Sequence, residues 1–404
     1  MVISTGSIQI QPMLAQDFST WMILIGILIN AAAPPVSAWL SDAYPESSAT
    51  GSVFLSAFTT KTAVLALILL FPGEPVLIGV GMYMIMYGII YALLENDARR
   101  ILAYSIVNQV GFMVCAVGIG TQMALNGAAA HAFAHIIYKA LLFMSAGVVL
   151  YRTGKSRCTD LGGLFRTMPI TCIMGIIGAL SISSFPLTSG FTTKSMISQA
   201  AVDENLFMVY MVLTAASAGV FLHAGIKFPW FVFFQKDSGL RPKDAPLNMS
   251  LAMGGCAFIC ILLGVAPELI YQLLPYPVDY HPYSTYKVLF YLQLLLFSGL
   301  AFFVLLPLMK RTETISLDTD WIWRKLGMAV LKFGLATLYI GSRIIDGILA
   351  SSARFGGYFA LRYLGNPLAQ DSEEKSVFSR SWTIGTTALW ISVLLSAYAI
   401  AFYL

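Results

Sequence analysis

Charged residues are scarce in this sequence. Only 11% of its 404 residues are Asp, Glu, Lys or Arg, 58% are hydrophobic, and the mean hydropathy is +0.77. Soluble globular chains hold about 25% charged residues and roughly 45–50% apolar ones. The shortage of charge therefore excludes an ordinary soluble protein and predicts a multi-pass protein of the cell membrane, with the lipid bilayer as its solvent. The net charge of +4 gives no reason to expect a nucleic-acid partner.

Several other features are missing. The five cysteines form no CxxC pair and most lie in apolar runs, so we expect small core residues and no disulfide framework. No Lys or Arg precedes the first apolar run, so the basic start of a cleaved signal peptide is absent. We therefore expect the first hydrophobic segment to stay in the mature chain. No GxGxxG stretch opens a helix after a strand, which argues against a redox enzyme, and no cofactor is predicted.

Hydrophobic runs are abundant. A helix that crosses a bilayer needs about 20 mostly apolar residues, and ten runs qualify. They lie near 18–38, 50–70, 75–94, 101–119, 124–151, 168–203, 206–226, 248–270, 286–308 and 383–404. Pro34 and Pro35 interrupt the first run, and Pro186 and Gly190 interrupt the sixth, so we expect broken helices there. The sequence predicts an all-α polytopic membrane protein with about ten transmembrane helices, two of them broken.

The basic residues predict the orientation of the chain. If 168–203 crosses once, the basic loop residues fall on one face of the membrane, and they include Arg99, Arg157 and Lys227. On the opposite face Lys287 is the only basic loop residue. Cytoplasmic loops carry the excess of Lys and Arg. We therefore predict that the basic loops are cytoplasmic and that both termini are outside.

The segment from Thr312 to Arg380 differs from the short loops. Its apolar positions recur at helical spacing between charged ones, which favours an amphipathic helix along the cytoplasmic face over a spanning helix. Gly356-Gly357 is a candidate interruption, and a surface loop with some helix is the alternative. The predicted organisation is a core at 1–203, further transmembrane helices at 204–308, this lateral helix at 309–381 and a final anchor at 382–404.

Three basic residues remain inside the predicted spans. They are Lys61, Lys139 and Lys194. A Lys at the centre of a bilayer costs at least about 2.5–3.5 kcal/mol on insertion scales, so each needs a reason. Burial disfavours the charged form of a lysine, and a buried lysine can therefore exchange protons near neutral pH. Three such residues indicate a proton path.

Two histidines accompany one of these lysines. His131, His135 and Lys139 are spaced at i, i+4 and i+8, so one helix carries all three on the same face. Imidazole titrates near physiological pH and can pass a proton along a hydrogen-bonded chain. The alternative is that the histidines only bond packed helices together. Their HxxxH spacing lacks the Glu of a zinc protease, and no metal is predicted.

Four motifs, in this order and spacing, resemble those of one family. They are PPVSAWLSDAYPE (34–46), NDARRILAYS (96–105) with QVG (109–111), HIIYKALLF (135–143) and GFTTK (190–194). The sequence resembles the antiporter-like subunits of respiratory complex I, of membrane-bound hydrogenases and of Mrp-type multisubunit cation/proton antiporters, in particular their D- or A-type members. The similarity covers roughly residues 20–200. LDTDW (317–321) resembles the sequence before the lateral helix of the longest members.

The resemblance implies proton transfer along a buried polar axis. It makes Lys61 the central-helix lysine, Lys139 the connecting lysine beyond the two histidines, and Lys194 the exit-side lysine on the second broken helix. The family places a further lysine nine positions before the Trp of its PxxxWL-type motif. That position is Asn30 here, which cannot be protonated.

The resemblance begins at the seventh helix of the family pattern. The N-terminal half repeat of the family has no counterpart here. In the family that half carries a glutamate, which pairs with the lysine whose position Asn30 takes in this chain. The loss of the glutamate and the loss of the lysine agree, because a buried lysine without its carboxylate partner is costly. We therefore expect a single half repeat that works with other integral membrane subunits, one of which supplies the missing half.

Two functions follow from the resemblance. The first is a subunit of a multisubunit complex that moves H+ or exchanges it for Na+. The alternative is a structural or regulatory subunit that has lost transport. No catalytic chemistry is expected in this chain itself, and the complex could be of the NADH:quinone oxidoreductase or of the hydrogenase type.

Overall fold

The computed structural model describes residues 10–308, 318–364 and 391–396. Within these ranges all regular elements are helices, and the only β pairing is an isolated bridge between Asp97 and Arg157. The chain divides into two compact units, Met1–Leu326 and Gly327–Leu404. The predicted all-α polytopic fold is confirmed.

The helices follow the predicted spans closely. In chain order they are α1 Phe18–Asn30, α2 Ala38–Glu46, α3 Gly51–Leu70, α4 Val76–Leu94, α5 Ala98–Ile119, α6 Gln122–Thr153, α7 Pro169–Ile182, α8 Ser189–Asp203, α9 Phe207–Val220, α10 Leu247–Val265, α11 Glu268–Tyr271, α12 Thr285–Val304 and α13 Asp320–Leu364. Eight helices of the described part are long and apolar enough to cross a membrane. Most of the last predicted span, 383–404, lies outside the described residues. Within it the structure describes 391–396, which are helical.

Helix α5 lies at the centre of the first unit. Every residue of it except Arg100 and Ile119 is buried. It packs closely on α4 through glycines, since a Cβ at Gly81 would lie 2.5 Å from the backbone N of Cys115, and a Cβ at Gly88 would lie 2.6 Å from that of Asn108. Small residues let membrane helices approach in this way. The close packing fixes the polar side chains of α5 in the interior.

The first predicted break is confirmed. Helix α1 ends at Asn30, and α2 begins only at Ala38, so Pro34 and Pro35 lie in the non-helical connection. A break frees backbone carbonyls that need donors. Trp39 Nε1 donates to the Ile29 carbonyl at 3.0 Å, and Thr319 Oγ1 donates to the Pro35 carbonyl at 3.0 Å.

The second break lies between α7 and α8. Ser184 and Leu187 there adopt φ of 61° and 67°, and Pro186 lies between them. A Cβ at Gly190 would lie 1.8 Å from the Ser181 carbonyl oxygen, so the approach of the two half-helices requires glycine at this position. The predicted break at Pro186 and Gly190 is confirmed, and a single crossing by this segment stays a prediction.

Helix α9 continues further than the sequence predicts. We expected a span ending at 226, but the helix runs on to Phe234 through π-helical turns at Phe221–Lys227 and Trp230–Phe234. Pro229, which signals the end of an α-helix in the sequence, lies between these turns. The helix therefore continues past Pro229 with π-helical turns on both sides of the proline.

Helix α13 is continuous over its 45 residues, so the interruption expected at Gly356-Gly357 is wrong. Its start belongs to the first unit, where Tyr104 OH donates to Asp318 Oδ2 at 2.9 Å and Arg324 pairs with Asp42. By length and composition Arg324–Gly347 is apolar enough to cross a membrane, contrary to our expectation from its charges. Its position along the membrane surface stays a prediction.

Candidate functional site

Lys61 lies in the middle of α3 and is 7% exposed. Its Nζ donates to the Ser56 carbonyl at 2.6 Å and lies 3.1 Å from Thr60 Oγ1. Both partners belong to its own helix and are neutral. The ammonium is therefore solvated by the turn that precedes it, and none of the described carboxylates contacts it.

His131 of α6 joins three helices. Its Nδ1 lies 3.0 Å from Thr193 Oγ1 of α8, and its Nε2 lies 3.2 Å from Gln109 Oε1 of α5. Tyr138 OH, two turns along α6, donates to the same Gln109 oxygen at 3.1 Å and lies 3.3 Å from His131 Nε2. Gln109 Nε2 in turn donates to Asn108 Oδ1 at 2.5 Å. This buried polar network, from Asn108 to Thr193, crosses the interior of the first unit.

His135 lies one turn further along α6, and neither of its ring nitrogens has a hydrogen-bond partner among the residues that the structure describes. It is fully buried, and its ring packs edge-on against those of His131 and Tyr138, at centroid distances of 6.3 and 5.2 Å. A buried unpaired imidazole is costly. Both nitrogens are available to exchange a proton with a mobile donor such as water.

Lys139 is fully buried in the next turn of α6. Its Nζ donates to the Leu102 carbonyl and to Ser105 Oγ of α5, both at 2.8 Å. The predicted placement of His131, His135 and Lys139 on one buried face of a single helix is therefore correct.

Lys194 of α8 reaches back across the second break. Its Nζ donates to the carbonyl of Ile182, the last residue of α7, at 2.6 Å and lies 4.9 Å from the centroid of the Phe112 ring. A cation at the carbonyl end of a helix is stabilised by the helix dipole, and a cation over an aromatic face is stabilised by the ring. The broken helix thus supplies the only polar partner of this buried lysine among the described residues.

These five side chains form one electrostatic group. Lys61, Lys139, Lys194 and His131 all act on His135 electrostatically. Among the described residues, no carboxylate lies within 4.0 Å of the three lysines, and no hydrogen bond joins a lysine to a histidine. The structure therefore gathers the predicted residues in one interior and leaves gaps between them that a proton could cross only through water or side-chain motion.

Asn30 lies apart from this group. It is the last residue of α1, and its side chain is exposed in this chain. The position that the family resemblance singles out therefore borders the first break but contacts none of the buried lysines by hydrogen bonding within the described residues.

Two basic residues that we assigned to surface loops are buried. Arg99 is 1% exposed and donates to the carbonyls of Pro45, Ser47 and Ser48 at 2.6–2.9 Å, which ties α5 to the end of α2. Lys227 is 5% exposed and lies in the extended part of α9. Their assignment to exposed basic loops is wrong, since both satisfy backbone carbonyls in the interior.

Sequence reasoning also missed the polar partners. Gln109, Tyr138 and Thr193 appear in the motifs but carry no charge, so nothing in their residue type marked them. Their helical spacing could have done so, because Tyr138 lies seven residues after His131 and therefore on the same face of α6. Four of the five cysteines are buried, as predicted, and Cys256 is half-buried.

Two solved structures are similar in fold to this chain. Among solved structures, the Mrp complex from Dietzia sp. DQ12-45-1b matches 67% of this chain and 61% of that chain with a TM-score of 0.61 and 23% identity. The membrane-bound sulfane sulfur reductase, an archaeal respiratory membrane complex, matches 94% of this chain and 68% of that chain with a TM-score of 0.61 and 25% identity.

Curated relatives agree. The N-type subunit of the NADH-quinone oxidoreductase of Desulforudis audaxviator is 34% identical over 206 residues, and the D-type subunit of the Na(+)/H(+) antiporter of Alkalihalophilus pseudofirmus is 31% identical over 262 residues. These matches cover 48% and 62% of this chain, and 41% and 53% of the relatives, so the chain spans about half the length of the two. The profile described as NADH:quinone oxidoreductase/Mrp antiporter, TM matches residues 4–220. This multi-pass membrane protein therefore belongs to the NADH:quinone oxidoreductase/Mrp antiporter transmembrane family.

Proposed function

We propose that this chain is an ion-translocating subunit of a multisubunit membrane complex, in which buried lysines and histidines relay protons. The observation that carries the proposal is the burial of Lys61, His131, His135, Lys139 and Lys194 in one interior, where no carboxylate of the described ranges is in contact with them. A structural role alone does not require three buried amines, because each costs free energy of burial.

Each group supplies a distinct chemical capacity. The lysines bind and release protons as neighbouring charges change, since no carboxylate fixes them in the charged state. His131 has hydrogen-bonded neighbours on both ring nitrogens and can therefore take a proton at one and release one at the other. Thr193 and Gln109 hold its ring in place between α5 and α8.

The relatives support a subunit of this kind and leave the coupling ion open. Their names include an NADH-quinone oxidoreductase subunit, a Na(+)/H(+) antiporter subunit and a probable K(+)/H(+) antiporter subunit. We propose H+ as the transported ion, with Na+ exchange as the variant to be tested. Other integral membrane subunits are the proposed partners, and one of them would cover the exposed face that carries Asn30.

A second candidate function is a structural subunit without transport. Asn30 favours it, because a residue that cannot be protonated occupies a position where the family pattern has a lysine. The three buried lysines oppose it.

Ion flux in membrane vesicles separates the two functions. Vesicles that contain the assembled complex would be given a valinomycin-imposed potential, and uptake would be followed with a ΔpH-sensitive dye with and without Na+. We expect Lys61→Ala, Lys139→Ala and Lys194→Ala each to reduce flux by roughly a hundredfold, the lower range for loss of a positioned proton-transfer group. Lys236→Ala, at an exposed lysine, is the control. Unchanged flux in variants that still assemble would contradict transport.

A further inference from the structure

Two buried titratable residues lie outside the proposed axis, on α9. His223 is fully buried and Lys227 is 5% exposed, and both lie in the π-helical turn Phe221–Lys227. They are four residues apart, so they share one face of the helix. Single π turns inside membrane helices occur frequently at functional sites. Neither residue belongs to the motifs that carry the family resemblance.

The hydrogen bonding of His223 leaves one nitrogen open. Its Nδ1 lies 2.9 Å from the Gly219 carbonyl. A carbonyl only accepts, so Nδ1 must carry the proton of the neutral ring, and Nε2 is left with its lone pair. Nε2 is buried and has no hydrogen-bond partner in the part of the chain that the structure describes. His223 thus presents an empty proton-accepting site to the protein interior.

Charged neighbours of His223 are lysines. Lys139, Lys227 and Lys194 act on it electrostatically, with Lys139 the strongest of the three. The π turn packs against α4, α5, α7 and α12, and no carboxylate from these helices pairs with the imidazole among the described residues. His223 therefore shares the buried interior of the first unit with the connecting lysine of the proposed axis and shares its own π turn with Lys227.

Lys227 connects this position to the end of α4. Its Nζ donates to the carbonyls of Ala92, Leu93 and Glu95 at 3.1, 2.6 and 2.6 Å. The Glu95 carboxylate accepts from the backbone N of Asn96 at 2.8 Å and pairs with Arg100 at 3.3 Å. Arg100 is about one-third exposed and pairs with Asp42 at 3.4 Å. Polar groups thus continue from Lys227 to the surface.

We propose that His223 and Lys227 form a side branch that carries protons between Lys139 and the face of the molecule that bears Arg100. The inference rests on the proposed function. Lys227 donates three hydrogen bonds and is therefore an ammonium at rest. It first releases one proton to water on the side of Arg100 and keeps two of these bonds. His223 Nε2 then accepts a proton from protonated Lys139, and the resulting imidazolium gives a proton to the neutral Lys227. Each transfer breaks one bond to hydrogen and forms another, so the proton count is conserved. The branch joins the connecting lysine to the surface without passing through Asn30.

Substitutions can separate proton carriage from packing. His223→Gln keeps an amide donor for the Gly219 carbonyl but cannot carry a proton. Lys227→Arg keeps the positive charge and the donors for the α4 carbonyls, but a guanidinium does not release its proton in proteins. A role limited to capping α4 would survive Lys227→Arg. Matched controls are His281→Gln and Lys236→Arg, because His281 and Lys236 are exposed.

The flux assay in vesicles tests the branch. We expect His223→Gln and Lys227→Arg each to lower proton flux by roughly a hundredfold, with both controls at the wild-type rate and equal amounts of assembled complex. If either variant shows flux at the wild-type rate while Lys139→Ala, measured in parallel, shows the roughly hundredfold reduction, the branch is overturned and the proposed function stands. Absence of flux from wild-type vesicles overturns both. Should His223→Gln fail to assemble, His223→Asn and Lys227→Arg carry the same test.

Discussion

Gln109 is the residue on which the side chains of His131 and Tyr138 converge. Its Oε1 accepts from Tyr138 OH and lies 3.2 Å from His131 Nε2, while its amide donates to Asn108. A neutral acceptor at this point holds the imidazole without fixing its charge, as a carboxylate would. The network therefore orients His131 and places no fixed charge against its ring.

Replacement of Gln109 tests this role. Gln109→Leu keeps the volume of the side chain and removes the acceptor, so Tyr138 and His131 lose a shared partner. We expect a loss of about 1–3 kcal/mol of stability, the cost of a buried unsatisfied polar group, measured as a lower thermal midpoint in detergent together with reduced flux. Gln199→Leu is the control, since the side-chain hydrogen bond of Gln199 goes to Asp203 at an exposed site. Equal midpoints for the two variants would contradict a structural role for the network.

The sequence predicts the charged residues of the site far better than the neutral ones. Lys61, Lys139 and Lys194 stand out because a charge in an apolar run has a known cost. Gln109 and Thr193 carry no such signal. Lys227 was misassigned because the predicted span ends at 226, and the π turns that extend the helix pack against several neighbouring helices. Arg99 was misassigned because its carbonyl partners come from a loop about fifty residues away.

At the scale of elements, the two breaks have one feature in common. In each, a side chain of the second half-helix donates to a carbonyl at the end of the first: Trp39 to Ile29, and Lys194 to Ile182. The donor at the first break is neutral and the donor at the second can be charged. The charge-bearing break is therefore the second one, and its geometry controls where Lys194 lies.

Gly190→Ala tests that geometry. The added methyl group would lie 1.8 Å from the Ser181 carbonyl oxygen, so α7 and α8 must move apart and the Lys194 hydrogen bond to Ile182 must lengthen. We expect a stability loss of at least about 1–3 kcal/mol from overpacking, seen as a lower thermal midpoint, and impaired flux in protein that still assembles. Gly254→Ala on α10, where a Cβ meets nothing within 4 Å, should behave as wild type. A wild-type midpoint for Gly190→Ala would show that the break does not need this close approach.

For the whole molecule, hydrophobic runs predict the helices because the bilayer demands about 20 apolar residues per crossing. Prolines and glycines predict both breaks, since they mark where backbone bonding fails. The same rules do not predict that α5 is surrounded on all sides. That burial follows from glycines on α4 and α5 that meet only in three dimensions, such as Gly88 against Asn108. Local pattern thus predicts the elements, and their packing order needs the structure.

Orientation in the membrane stays a prediction from charge. It follows from the near-exclusive placement of basic loop residues on one side of a single broken crossing at 168–203. Arg157 and Asp279 are both exposed, and they fall on opposite sides in this topology. Arg157→Cys and Asp279→Cys should therefore react differently with a membrane-impermeant maleimide: in sealed right-side-out vesicles we expect labelling of Asp279→Cys only, and in inverted vesicles labelling of Arg157→Cys only.

The native cysteines make the background of this experiment low. Four of the five are buried and Cys256 is half-buried, so the unsubstituted chain is the control in both vesicle preparations, and detergent permeabilisation should expose both introduced thiols. Because the parity of every later segment depends on how often 168–203 crosses, one result is decisive. If both introduced cysteines react from the same side, that segment re-enters instead of crossing, and the cytoplasmic assignment of the basic loops after it is wrong.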